Sequence, residues 1–127
     1  MKHLRRPDGV PPGNGYSHAV SFSGTMVAVS GQVAMDEHGE VVGVGDAEQQ
    51  VRQVFRNLGV VLRAAGSDLD RVVKLTVYLT DLNDLPVFRR VRDELLAPDA
   101  LPASSLVQVS GLVHPALRVE VDALAVV

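Results

Sequence analysis

The chain has 127 residues, 46 % of them apolar and 21 % charged, which is the size and balance of one globular domain with its own core. It holds no cysteine, which excludes disulfides, thiolate metal sites and a cysteine nucleophile. A formal charge of −3, with three Phe, two Tyr and no Trp, argues against a duplex-binding surface or a base-stacking platform, so nucleic acid is a disfavoured partner.

Residues 1–15 hold three prolines and three glycines and read as an irregular arm. The N-terminus lacks the apolar core of a signal peptide, and no apolar run reaches the roughly 18 residues of a membrane span. The expectation is a cytoplasmic protein with no membrane partner. Two short strands are expected at 16–22 and 25–33, with Ser23-Gly24 as the turn between them. Residues 36–45, rich in glycine and charge, read as a loop.

A helix follows. Asp46 is a natural N-cap with Gln49 three residues on, as in a capping box. Val51, Val54, Phe55, Leu58, Val61, Leu62 and Ala65 recur at helical spacing, and Gly66 supplies the stop. Arg52, Arg56 and Arg63 fall off that stripe and read as a solvated face rather than an anion site. Residues 72–80 then alternate as a strand. A second helix is expected from Asp84 as N-cap to about residue 97, where Pro98 halts it. Strands at 104–112 and 117–127 complete the chain, separated by a turn with Gly111, His114 and Pro115. The order ββαβαββ implies a single α+β domain with both helices on one face of a mixed sheet.

Two helices cover only one face of such a sheet. Alternation places Lys74, Thr76 and Tyr78 on the other face, with Ser104, Leu106 and Gln108 from the fourth strand. The last strand adds Arg118, Glu120, Asp122, Leu124 and Val126. This face is polar toward one end and apolar toward the other, and no element is left to cover it. Self-association is the preferred reading, with a ligand cleft between subunits. Glu120 and Asp122 point the same way, and two carboxylates held close can raise one another's pKa into the range of general acid–base work. On spacing alone, an ordinary ion pair with Arg118 or Lys74 is the preferred reading of these acids.

The remaining polar groups carry less. His3, His18, His38 and His114 have no metal-ligand spacing, so no metal is expected. Ser104-Ser105 lacks a nucleophile elbow. Gly13-Asn14-Gly15 precedes a strand, not a helix, and reads as a turn rather than a phosphate loop. Tyr16 beside it fits either a core position or an interface cleft.

Several segments together resemble one family. They are Gly15-Tyr16, Ser30-Gly31-Gln32-Val33, Val73-Lys74-Leu75-Thr76-Val77-Tyr78-Leu79-Thr80-Asp81-Leu82-Asn83-Asp84, Pro102-Ala103-Ser104-Ser105-Leu106-Val107-Gln108-Val109 and Val119-Glu120-Val121-Asp122-Ala123-Leu124-Ala125-Val126. From residue 15 onward the chain resembles the Rid (reactive intermediate deaminase) family, also called YjgF or L-PSP endoribonuclease-like. The resemblance implies a chorismate-mutase-like fold and a homotrimer with small-molecule clefts between subunits. It also implies hydrolysis of reactive enamines and imines, such as 2-aminoacrylate, to a 2-keto acid and ammonia, with no cofactor and no metal.

By that resemblance the catalytic glutamate falls on Glu120, which reverses the ion-pair reading, and substrate-binding positions fall on Tyr16 and Gly31. The family's substrate-carboxylate arginine falls on Ser104. A hydroxyl cannot make the bidentate contact of a guanidinium, a loss of about 1.5–3 kcal/mol. The expected substrate is therefore unlike the usual 2-imino acids, or meets Ser104 and Ser105 as hydroxyl partners. Arg118, on the same strand as Glu120, is one candidate to replace the arginine, and Arg89, one turn into the second helix, is a weaker one. The alternatives are a non-catalytic metabolite- or partner-binding module, motivated by the missing arginine, and an endoribonuclease, which acidic charge and few aromatics disfavour.

Overall fold

The alternation at residues 72–79 sets the centre of the fold. A computed structural model describes residues 1–127. In it Leu75, Val77 and Leu79 of β4 (Val72–Leu79) are buried on one face, while Lys74, Thr76 and Tyr78 lie half-buried on the other. β6 (Val119–Val126) repeats the pattern, burying Val119, Val121, Ala123 and Ala125. These two strands form the middle of a four-stranded sheet ordered β3-β6-β4-β5, with β3 at Met26–Val33 and β5 at Ala103–Gln108. β4 and β5 are parallel, and the other two pairings are antiparallel. The expected α+β architecture with a mixed sheet is what forms.

Both helices lie on the face that buries the β4 and β6 apolar rows. α1 (Ala47–Ala64) begins where Asp46 accepts a hydrogen bond from the Gln49 amide at 3.0 Å. It ends in a Schellman motif: the Ser67 amide donates to Leu62 O and that of Gly66 to Arg63 O, with Gly66 at φ +82°. α2 (Leu85–Leu95) crosses from β4 to β5 and packs on α1 through Phe55 and Phe88, their ring centroids 6.0 Å apart. Gln50 is fully buried at the end of this core. Its amide donates to the carbonyls of Gly43 and Ala116 and accepts from the Arg118 amide, which ties two loops to α1.

The structure departs from the expected elements in three places. Within the arm, β1 (Lys2–Leu4) pairs antiparallel with β2, and β2 spans only Ala19–Ser21. This pair is a separate two-stranded sheet, so β2 does not join the main sheet. A three-residue strand is too short to show a period of two, and its pairing is long-range. α2 stops at Leu95, two residues short of the expected end.

The third departure bears on function. Leu75 pairs with Ser104, Val77 with Leu106 and Leu79 with Gln108. Ser104, Leu106 and Gln108 therefore lie on the helix-covered side, and Ser105 and Val107 take the uncovered face. The segment Ser104-Ser105-Leu106-Val107 has a hydroxyl and an apolar side chain for each face, so its own pattern does not fix which one is buried. No helix is long and apolar enough to cross a membrane.

Candidate functional site

The cavity beside Ser104 is built by the approach of the N-terminal arm to β5. The Ser17 amide donates to Pro102 O at 2.9 Å and its hydroxyl to Leu101 O at 2.6 Å, which fixes Tyr16 next to Ser104. Tyr16 also packs edge-on against His18, with centroids 5.4 Å apart. From the helix side, Arg92 reaches under the arm. Its side chain is 7 % exposed, pairs with Asp93 at 2.9 Å and donates to Asn14 Oδ1 at 3.2 Å. Gly15 sits directly on the Arg92 guanidinium at φ +70°, where a Cβ would collide with it. Glycine at this position is thus required by both conformation and space. The resulting cavity, of about 390 Å³, is lined by Tyr16, Phe88, Arg89, Arg92, Ser104 and Leu106 among others.

A second cluster lies on the uncovered sheet face. Glu120 of β6 stands half-buried opposite Tyr78, and its carboxylate makes no hydrogen bond or ion pair within the chain. It lies over Gly31 of β3, where any Cβ would overlap its carboxylate and Cγ. β3 carries a bulge between Val29 and Gln32, which aims this stretch at the Glu120 side chain. Asp122, next on the same face, accepts from the Tyr78 hydroxyl at 3.0 Å. That hydrogen bond, and the negative charge behind it, raise the Tyr78 pKa above the ordinary 10. Ser105, on this face as well, accepts from Lys74 Nζ at 2.7 Å.

Arg118 has a different task. Its guanidinium makes two hydrogen bonds to Asp84, both 2.8 Å, at the start of α2. Asp84 is the N-cap residue as expected, yet its side chain makes no capping bond, because both oxygens are taken by Arg118. Arg118 is thereby held away from Glu120, and the structural role weighed for it is the one the geometry supplies.

The six expected residues thus fall into three places. Tyr16 and Ser104 share the cavity, Gly31 and Glu120 share the uncovered face with Ser105 further along it, and Arg118 joins α2 to β6. β6 and β5 are separated by β4, and the β4 partners of Glu120 and Ser104, Tyr78 and Leu75, are three residues apart, so the two backbones lie ~14 Å apart with their side chains on opposite faces of the sheet. One chain does not bring the two halves together. Arg92 and Asn14 had no signal of their own in the sequence. The stripe Leu85, Phe88, Arg89 and Arg92 at helical spacing is the pattern that leads to them. A larger concavity of about 470 Å³, lined by Gln32, Asp36, Arg56 and Asn57 among others, contains none of the expected residues.

A mixed four-stranded sheet with both helices on one face and the other face uncovered defines the class of fold. Comparison with known proteins places the chain within it. The family model for endoribonuclease L-PSP matches residues 8–127. A RutC family protein of Synechocystis is 35 % identical over 127 residues, which cover 99 % of this chain and 96 % of that protein. A 2-iminobutanoate/2-iminopropanoate deaminase of Mus musculus is 37 % identical over 111 residues, covering 87 % of this chain and 80 % of that one. The crystal structure of YyfB, a Rid family protein of unknown function from Yersinia pestis, matches with a TM-score of 0.86 at 33 % identity, covering 95 % of both chains. The chain belongs to the endoribonuclease L-PSP family, the group to which the names Rid and RutC also attach.

Proposed function

We propose that this protein hydrolyses the C–N bond of a small imine or enamine in a cleft formed between subunits of a cytoplasmic homotrimer. The observation that carries the reading is Glu120: a half-buried carboxylate without a partner in its own chain, held over a glycine. The deaminase activity named for the Mus musculus relative gives the reaction class. Glu120 takes a proton from water as the oxygen adds to the imine carbon. Glu120 returns that proton to the nitrogen, giving a carbinolamine; as its C–N bond breaks, the hydroxyl proton also passes to nitrogen, which leaves with the electron pair as ammonia, and a carbonyl remains. Tyr16 and the Gly31 backbone position the substrate and Ser104 sets its polar contacts, while Ser105, on the other face of β5, is bonded to Lys74. Ser104, in place of an arginine, makes the substrate differ from the usual 2-imino acids.

The test generates imines with an amino-acid oxidase and traps what remains over time. Wild type should clear the imine faster than buffer, and Glu120→Ala should lose that acceleration by about 100-fold or more. Equal rates for the two proteins on a converted substrate would refute the role of Glu120.

Ser104 also favours a second reading, a binding module that converts nothing. Such a protein would be stabilised by a carbonyl acid in a thermal melt while leaving every imine untouched. RNA cleavage that survives purification and vanishes with Glu120→Ala would instead support the endoribonuclease named in the family description.

A further inference from the structure

The cavity beside Ser104 contains two arginines, and they are not equivalent. Arg92 is spent on the scaffold: it is buried, paired with Asp93 and bonded to Asn14 beneath the arm. Arg89, one position past Phe88 on the same stripe of α2, is half-buried in the wall of the cavity and makes no ion pair or hydrogen bond within the chain. Neighbouring arginines show what such a side chain does when a carboxylate is in reach. Arg90 bonds Glu48 at 2.6 Å, and Arg52 bonds Glu94 at 2.8 Å, across the outer faces of the helices. No carboxylate lines the cavity that Arg89 faces. A guanidinium keeps its charge at any physiological pH, and losing water on entering a partly apolar wall is costly unless an anion compensates.

We propose that Arg89 is the anion grip of this site. It acts from α2, on the opposite wall from Ser104, so the site takes a small carboxylate whose charged group lies toward the helix rather than toward β5. The proposal rests on the reading of the cavity as a substrate site and names its substrate class. Moving the grip from strand to helix changes the distance at which the carboxylate is held from the reacting carbon. The specificity expected is therefore for an acid of different reach from that of a 2-imino acid, not for a neutral compound. Phe88 and Leu106 supply the apolar wall against which the carbon chain lies.

The experiment is calorimetric binding of stable carbonyl acids to the intact protein, read without turnover. The probes are 2-oxobutanoate and the longer 4-oxopentanoate, each beside its uncharged amide. Wild type should bind at least one acid more tightly than its amide. Arg89→Gln should weaken that acid by roughly 10- to 100-fold and leave the amide unchanged, as expected for a lost charge-assisted pair. Arg89→Gln combined with Ser104→Arg keeps an arginine in the same cavity. Recovered binding of 2-oxobutanoate by that double variant shows that the fold and cavity survive the first change. Unchanged acid binding in Arg89→Gln, or acids bound no better than amides by wild type, overturns the proposal. If Arg89→Gln loses acid binding while Glu120→Ala keeps full imine turnover, the catalytic reading fails and the anion grip stands.

Discussion

Tyr78 and Glu120 face each other across β4 and β6, and their hydrogen bonding differs. The Tyr78 hydroxyl is committed to Asp122 at 3.0 Å, which leaves the Glu120 carboxylate to be satisfied from outside the chain. The donating phenol must stay protonated to keep that bond, so its pKa lies above 10. The sign follows directly. The stabilisation is complete below the unfolded-state pKa of the phenol and is lost as pH rises through the higher folded value. With two tyrosines in the chain, Tyr16→Phe leaves Tyr78 as the only phenol. Its ultraviolet titration should fall above pH 10, and Asp122→Asn should lower the midpoint. A midpoint unmoved by Asp122→Asn would show that the hydrogen bond does not hold the proton.

At the scale of elements, the link between α2 and β6 is the one most open to measurement. Asp84 is buried and Arg118 about one-third exposed, and the pair is bidentate. Removing the guanidinium leaves a buried carboxylate without its donor. Arg118→Gln is expected to cost about 1.5–3 kcal/mol in denaturant melts. It should change ligand binding little, since Arg118 does not enter the Ser104 cavity. A melt within error of wild type would contradict this assignment.

Both long helices and the alternating strands β4 and β6 were readable in the sequence, because each has one strongly apolar face, and α1 has local caps as well. Asp46 with Gln49, and Gly66 with its Schellman bonds, act within a few residues of themselves. What was not readable depends on partners distant in sequence. β1 forms only through β2, and the side to which Ser104 turns is decided by the register with Leu75. The same limit held for the site. Glu120 and Tyr16 came from family resemblance, whereas the free state of Arg89 and the engaged state of Arg118 appear only once α2 is packed.

At the scale of the whole molecule, the uncovered face and the β5 edge pose one problem. Glu120 over Gly31 is half of the proposed site, and Tyr16 with Ser104 and Arg89 is the other half, placed across the sheet and on its opposite side. In the proposed homotrimer, a head-to-tail contact in which the uncovered face of one copy meets the β5 edge of the next would join the halves, and three such contacts would close a ring. Light scattering should therefore give three times the 13.6 kDa chain mass, and a monomer at micromolar concentration would leave each half without its complement.

The separation of Glu120 from the Ser104 cavity also has a genetic reading. A chain carrying Glu120→Ala and a chain carrying Ser104→Trp, which fills the cavity, are each defective in a different half. Copies of the two, unfolded together in equal amounts and refolded, should recover about one quarter of wild-type turnover, since a ring interface is whole only when a sound Glu120 meets a sound cavity. Two inactive alleles would thus complement one another in the same cell, and a chain carrying both changes, mixed equally with wild type, should likewise leave one quarter of the interfaces sound.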